Sequence, residues 1–507
     1  MFRHTLTTSR IISIIQVGGV LYIMNKSDLL LQEVLSNLQG CSDLIIQPFQ
    51  LGSLNCKLLY IASITNTQLL REAVTKPLLE EATRLQTDKQ LVNRIKDEAF
   101  FTIPNKTSAT AKDVTDAIVA GEAAFYIAGQ PHMSLFELKQ YQSRSVPEST
   151  NEVVVIGPQQ AFVEDIQVNM SLLRHIIKHP KLKTVKYEIG RYTRTTVYVT
   201  YIEGLCKPEV LKEITEKMQS FDMDSTLSIN YLAEYMAGTP YSPFPQSQFS
   251  ERPDSVASAL MEGRIAILQD GTPFTLLLPT TFFAMIQSAE DYYQGFYPAS
   301  WIRLVRLVFS IMSLLLPSMY VAMTTFHPEI IPTSLLITIA SARENIPFPA
   351  LIEALIMELT FEGLREAGIR IPKPLGQTVS IIGGIVIGQA AVQAGIVSAP
   401  MVIVVSITGI ASFIIPHFEL SLTLRLLRFP ILILGGTLGL IGIVMSLFIT
   451  YWYMVNLRSF GIPYMQPLAP FVFQDLKDTL LRVPWFDMKR RPGSFTNTNQ
   501  LKRRSSK

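Results

Sequence analysis

From Thr378 to Pro416 the chain reads TVSIIGGIVIGQAAVQAGIVSAPMVIVVSITGIASFIIP, without one Asp, Glu, Lys, Arg or His. At about 1.5 Å of rise per helical residue, this run is nearly twice what one crossing of a roughly 30 Å hydrocarbon core needs. With Ser398, Ala399 and Pro400 near its middle, it predicts two membrane helices, 378–397 and 400–416, joined by a tight hairpin. Gly384 and Gly388 stand in a spacing of small residues that lets another helix approach closely. Gln389 and Gln393, four apart, share a helix face, and amides at membrane depth need a partner or water.

The remainder of the chain divides by solvent. Charge concentrates before Trp301 and apolar residues after it, so the 507 residues predict a soluble domain over 26-300, a membrane domain over 301-456 and a tail over 457-507. A net charge of +3, with no basic stripe interleaved with aromatics, excludes a nucleic-acid partner. Basic residues next to apolar runs fit membrane lipid instead. Cys41, Cys56 and Cys206 have neither disulfide-framework nor zinc spacing. Residues 1-25 place Arg3 and Arg10 before IISIIQVGGVLYIM, superficially like a signal peptide, but no small-residue cleavage site follows. They read as an extension, with Met24 as the expected start.

In the soluble half, apolar runs and helical periods alternate. Helices are predicted over Ser27 to Leu38, Gln68 to Leu91 (broken at Pro77), Asp113 to Gly121, Gln167 to Lys178 and Pro208 to Phe221. Strands are predicted over Lys57 to Ile64, Ala123 to Ile127, Glu152 to Ile156 and Val197 to Ile202. This pattern gives an α/β fold. Gln269-Asp270-Gly271 between two apolar runs predicts a closing hairpin. Pro243 and Pro245, followed by Glu251, Arg252 and Asp254, form a proline-stiffened segment leading to the membrane. It reads either as a coupling element or as a solvated surface loop.

Catalytic and metal signatures fail in turn. His175 and His179 are four apart but HIIKH lacks the Glu of the zinc-protease motif, and Gly383-Gly384 has no Lys-Ser/Thr ending. Asp222 opens no calcium loop, because Leu227 and Ala233 stand where Gly and Glu belong. No nucleophile elbow is present. The expectation is a protein without catalytic residues, metal or cofactor.

In the membrane half, a span near 302-323 has Arg303 and Arg306 ahead of its apolar run Leu307 to Met323, and this basic end is expected on the cytoplasmic side, with the soluble domain. Residues 330-342 are short for a crossing. Arg343, Glu344, Asn345, Pro347 and Pro349 then start a helix over 348-367 that carries Glu353, Glu358, Glu362 and Glu366. The last three share a face, and a carboxylate facing lipid is expensive. Two arrangements answer this: a pore lined by the acidic stripe in an oligomer, or an interfacial helix with Arg365 and Arg370 as counter-ions. Gln389 and Gln393 likewise read as pore lining or as interhelical hydrogen-bond partners. A last span, 431-455, carries Gly435 and Gly439 at close-packing spacing. The tail, rich in Ser, Thr, Asn and Lys, is expected to be disordered after about 492.

Several long motifs, in order, resemble one family. They are GPQQAFVEDIQVNMSLLRHIIKHPKL from Gly157, YIEGLCKPEVLKEI from Tyr201, YSPFPQSQFSERPDSVASALMEGRIAILQDGTPFTLLLP from Tyr241, RENIPFPALIEALIMELTFEGLREAG from Arg343 and IPKPLGQTVSIIGGIVIGQAAVQAGIVS from Ile371. They resemble the A subunits of bacterial spore germinant receptors, the GerA family, from about Glu152 to Pro467. Ile156 and Gln159 depart from the charged residues usual around the Gly-Pro pair. The resemblance implies an α/β cytoplasmic domain of two subdomains followed by a multipass α-helical membrane domain, in the cell membrane and specifically the spore inner membrane. It further implies a transporter-like B subunit and a lipoprotein C subunit as partners, homo-oligomerisation, and a germinant-gated cation channel. A solute transporter subunit and a non-conducting scaffold are the alternatives.

Overall fold

The computed structural model describes residues 13–17, 20–24, 26–84, 88–96, 100–140, 148–149, 151–370, 388–473, 475–488 and 490–496. The first half of the predicted span 378–397, including Gly384, lies outside the described residues, as do 497–507. Ser13–Val17 and Val20–Met24 pair as an antiparallel hairpin.

The first subdomain contains α1 (Lys26–Asn37), β1 (Leu44–Leu51), β2 (Leu54–Ile61), β3 (Asn105–Ser108), α2 (Ala111–Val119), β4 (Ala123–Ile127) and β5 (Met133–Phe136). Its sheet has the order β1-β2-β4-β5-β3, with every pair antiparallel. Side chains alternate across a strand, and here helices cover both faces. Leu59 and Ile61 of β2 therefore pack with α1 and α2, while Cys56, Leu58 and Tyr60 pack with Leu70, Val74 and Leu78 on the other side. The predicted break at Pro77 is absent. A wide turn over Arg71–Thr75 precedes it, and Lys76–Arg84 continues as helix.

The second subdomain repeats the plan with α3 (Ile166–Ile176), β6 (Leu182–Ile189), β7 (Thr195–Ile202), α4 (Pro208–Gln219), β8 (Gln248–Ser250), α5 (Pro253–Met261), β9 (Ile265–Gln269) and β10 (Thr275–Leu278). The sheet order is β8-β10-β9-β7-β6, again antiparallel. Gly271, at φ +83°, turns the β9–β10 hairpin. Residues 152–156, predicted as a strand, are not one: Val153, Val155 and Ile156 are exposed. Helix α3 ends at Ile176, so His175 and His179 do not share a helix face.

A fully buried ion pair joins the subdomains. Asp43 accepts from Arg174 Nε and Nη2, both at 2.9 Å, and Thr184 N donates to Gly40 O at 3.0 Å beside it.

The helical half comprises α6 (Phe296–Phe326), α7 (Thr333–Arg343), α8 (Ala350–Arg370), α9 (Ala399–Phe413), α10 (Phe418–Leu438) and α11 (Leu440–Asn456). Among the described residues α6 is long and apolar enough to cross a membrane, and α9 and α11 are apolar but shorter. The predicted span 431-455 is two helices. Gly439, at φ 64° and ψ −147°, holds a backbone that only glycine adopts readily, and it reverses the chain between α10 and α11. Gly435 does serve close packing, since a Cβ there would lie 3.1 Å from Ile443 and 3.3 Å from Ser318 O. Helices α6 and α10 start at the soluble domain and end together near Phe326 and Gly439. α11 returns, and Leu457 packs with Phe244 and Phe283. The chain after α11 also docks on the soluble domain. Lys207 Nζ donates to Ser494 O at 2.6 Å, and Cys206 bridges Thr496, so order extends past the expected limit at 492.

Removing one partner of a buried pair strands the other charge, at roughly 3–5 kcal/mol. Arg174→Ala should therefore lower the thermal midpoint of the detergent-solubilised protein and open a protease site between the subdomains. Asp43→Leu combined with Arg174→Met should recover most of the loss.

Candidate functional site

Proline 317 lies inside α6, where it cannot donate to the carbonyl four residues back. That carbonyl, Ser313 O, accepts instead from Arg428 Nε at 2.7 Å. Arg428 Nη1 donates to Glu358 Oε2 at 2.5 Å, and both side chains are buried. One guanidinium thus ties α10 to α6 and α8. One turn along, Arg425 Nη1 bonds Glu362 Oε2 at 3.0 Å, with Arg365 3.9 Å from the same carboxylate. Glu366 is exposed and pairs with Arg370 at 2.6 Å. Near the start of α8, Glu353 Oε1 accepts from Ser398 N at 2.5 Å and from Ser398 Oγ, while Oε2 lies 3.5 Å from Arg343.

The acidic stripe is thus met by cations of the same chain. Of the helix-start residues, Arg343 reaches Glu353, Pro349 O accepts from Glu353 N at 3.0 Å, and Asn345 O lies against Gly395. Glu344 caps α7 through its backbone N–H, which donates to Ser341 O. Gln389 and Gln393, on the short helix Gly388–Gln393, are exposed. The sequence shows the stripe and its local counter-ions Arg365 and Arg370, but not Arg425 and Arg428; the available signal was two arginines three apart in the largely apolar α10.

At the other end of the helices, Asp291 accepts from Arg303 Nε (2.9 Å) and from Arg306 Nη1 and Nη2 (3.0 Å each). Burial pushes the Asp291 carboxyl up, but the two guanidiniums outweigh it and hold it below the usual carboxylate range. Arg303 also grips Asp478, and Arg482 Nη1 caps the carbonyls of Asp291 and Gln294. The C-terminal segment therefore closes on the root of α6. Neither Asp291 nor Asp478 was singled out from sequence.

The coupling segment is ordered and half built into the second sheet. Pro243 O accepts from Thr423 Oγ1 of α10 at 2.6 Å, and Pro245 is half-buried between buried Phe244 and Gln246. Glu251 accepts from Ser149 Oγ and Asn151 N at 2.5 Å and from Glu152 N at 3.0 Å. Arg252 is fully buried and donates to Pro158 O at 2.6 Å and to Asp254 at 2.8 Å. Asp254 in turn accepts from Tyr293 OH, just before α6.

A polar chain crosses the same junction. Arg264 Nη1 donates to Gln248 Oε1 at 2.7 Å, and Gln248 Nε2 meets His417 Nε2 at 3.1 Å. Burial, with the nearby Arg264 guanidinium, holds the His417 imidazole down at about 4, so it stays neutral and its Nε2 accepts from the amide. His417 Nδ1 is 4.0 Å from Glu152 Oε1. Among the described residues no cluster of His, Cys, Asp or Glu could hold a metal ion.

Residues 31–494 match the model of the Bacillus/Clostridium GerA spore germination protein family. The chain belongs to the GerA family. It is 42% identical to the "Uncharacterized membrane protein YfkQ" of Bacillus subtilis (strain 168), over 93% of this chain and 92% of that one. To the spore germination proteins KA and A1 of the same organism it is 39% identical in each case. These matches cover 91% and 88% of this chain, and 85% and 90% of the relatives. A crystal structure of the N-terminal domain of the A subunit of the Bacillus megaterium spore germinant receptor GerK3 is 28% identical. It covers 50% of this chain and 94% of that one, with a TM-score of 0.38. In this GerA-family chain the Gly-Pro pair sits within the junction. Gly157, at φ +135°, leaves room for the Tyr293 ring, which a Cβ would approach to 2.7 Å. Ile156 and Gln159 on either side are exposed.

Two outcomes follow. Burial, partly offset by a bond from Ser250 and reinforced by Glu251, raises the Glu152 carboxyl to about 7. The native state then binds more protons than the unfolded one between roughly pH 4.5 and 7, so this group's contribution falls as pH rises through that window. Melting midpoints from pH 5 to 8 should decline less steeply in Glu152→Gln than in wild type. Separately, Arg428→Met should sharply lower recovery of folded protein, and adding Glu358→Gln should restore much of it.

Proposed function

We propose that this chain is the A subunit of a nutrient germinant receptor, a multipass protein of the cell membrane whose soluble domain faces the cytoplasm. The observation that carries this is the family match over residues 31–494. The reading assigns it no covalent chemistry. It acts with a transporter-like B subunit and a lipoprotein C subunit, and germinant binding within that complex releases cations. Support for an even number of crossings is that the root of α6 and the segment after α11 meet at Asp291 and Asp478. In the spore this membrane is the inner one.

Copies of the chain assemble around a conducting path in this proposal. Glu366, Gln389 and Gln393 are exposed in the single chain and available to line it. Glu358 and Glu362 are held by Arg428 and Arg425 and set the angle of α8. That intrachain pairing is also what favours a second reading, a non-conducting scaffold.

Cation efflux per receptor separates them. In spores carrying Gln389→Leu with Gln393→Leu, receptor abundance should stay near wild type while germinant-triggered release slows several-fold. Wild-type release at wild-type abundance, repeated for Glu366→Gln, would retire the conducting path and leave the scaffold.

A further inference from the structure

In the C-terminal segment that closes on the root of α6, Thr479 and Arg482 turn inward and are buried. Arg482 Nη1 is taken by the carbonyls of Asp291 and Gln294. With those two side chains inside, Leu480 and Leu481 between them face outward, 37% and 57% exposed. Trp485 and Phe486, a few residues on, are exposed as well. Single exposed apolar residues are ordinary on a protein surface, but two adjacent pairs this close together call for a partner.

Bonds to α6 fix the depth of this patch. Ser300 Oγ donates to Arg482 O at 3.0 Å and accepts from Arg482 N at 3.1 Å, and Arg303 Nη1 donates to Asp478 O at 2.8 Å. The stretch 478–482 therefore runs beside Ser300 to Arg303. The unbroken apolar run of α6 begins at Leu307, which at 1.5 Å of rise per residue is about 6 Å beyond Arg303. A bilayer crossed by α6 consequently has its headgroup layer at the level of Leu480 and Leu481. Tyr297 and Trp301 are exposed on α6 at this level, and Tyr451 and Trp452 are exposed near the end of the returning α11. These are the residue types that settle at a membrane–water boundary. Charge points the same way. Lys477 and Arg490 flank the patch and are exposed, Asp487 is the exposed acid between them, and Asp478 is held by Arg303. From Lys489 to Lys507 the sequence holds Lys and Arg but no Asp or Glu, and a basic stretch beside a span attracts anionic lipid.

We infer that the stretch from Lys477 to Phe486 docks on the anionic phospholipid surface around α6. Leu480 and Leu481 enter the boundary between headgroups and acyl chains, Trp485 and Phe486 lie among the headgroups, and Lys477 and Arg490 meet lipid phosphates. The backbone that holds lipid is the one that grips Ser300 and Arg303, so the bilayer surface and the closure of the C-terminal segment on α6 share one element. This inference rests on the reading of α6 as a membrane span and is independent of whether the helices conduct.

Tryptophan quenching in nanodiscs tests this on the full chain, whose native tryptophans are Trp301, Trp452 and Trp485. With all of these replaced by Phe, Leu481→Trp supplies a single probe in discs of phosphatidylcholine and phosphatidylglycerol brominated near the headgroup end of the acyl chains. Its fluorescence loss is expected within about twofold of that of a protein retaining only Trp301, and a Leu227→Trp probe, exposed on the second subdomain, should show none. Lys477→Glu with Arg490→Glu should lower the loss at the Leu481→Trp probe by at least about twofold, and only in discs that contain phosphatidylglycerol. Where the probe protein does not fold, Trp485 kept as the sole tryptophan gives the same readings. Quenching of Trp301 but not of the probe overturns the docking and leaves the span standing, whereas quenching of neither overturns the span on which it rests. Probe emission that shifts with protein concentration and not with lipid gives the patch to a second copy of the chain and overturns the lipid partner. Quenching indifferent to phosphatidylglycerol and to the charge reversals overturns the anionic surface.

Discussion

Arg428 sits in the apolar interior of the helical half, where a charge persists only beside a counter-charge; its Nε and Nη1 find acceptors, while Nη2 has no hydrogen-bond partner among the described residues. Its position depends on a proline more than a hundred residues earlier. Pro317 withholds a donor from its own helix, and the freed Ser313 carbonyl accepts Arg428 Nε while Glu358 takes Nη1. This arrangement fixes the rotation of α8, α6 and α10 together. Small residues then let the helices close on one another: a Cβ at Gly436 would lie 2.6 Å from Leu351, and Gly409 leaves space for the Phe361 ring. Polar satisfaction sets the geometry, and glycine permits the distance.

What the sequence made legible follows from how each segment is covered. β4, β7 and β9 read as strands because helices cover both faces, which makes them continuous apolar runs. β6, LKTVKYEI, lies at a sheet edge with Lys186 and Glu188 exposed, and its alternation from Val185 to Ile189 is the mark of a half-covered strand, which a reading by continuous apolar runs leaves out. The reverse error fell on Val153 to Ile156, apolar yet held outside any sheet by the Glu251 and Arg252 bonds to its flanks. Hydropathy alone could not divide α10 from α11, since only the backbone of Gly439 marks the reversal.

The candidate site was half legible for a related reason. Periodicity within α8 placed Glu358, Glu362 and Glu366 on one face, because neighbours three and four apart on a helix are fixed by local geometry. Glu366 meets Arg370 four along the same helix, but Arg425 and Arg428, which hold Glu362 and Glu358, are more than sixty positions away, and pairing across that distance leaves no local period. The same holds for Asp43 with Arg174: each looks like an ordinary surface charge until the fold brings its partner to it.

The return of the chain after α11 makes the molecule a closed linkage. The helices leave the soluble domain at Asp291 and come back to it at Asp478, and both carboxylates grip the same Arg303. In an open chain a single hinge could swing the helices freely on the domain. In a closed ring of rigid bars, turning one joint obliges the others to turn. Motion between the halves is thereby confined to small coordinated sliding of packed helices, and displacement of the soluble domain has few ways to dissipate before it reaches α8 and α10.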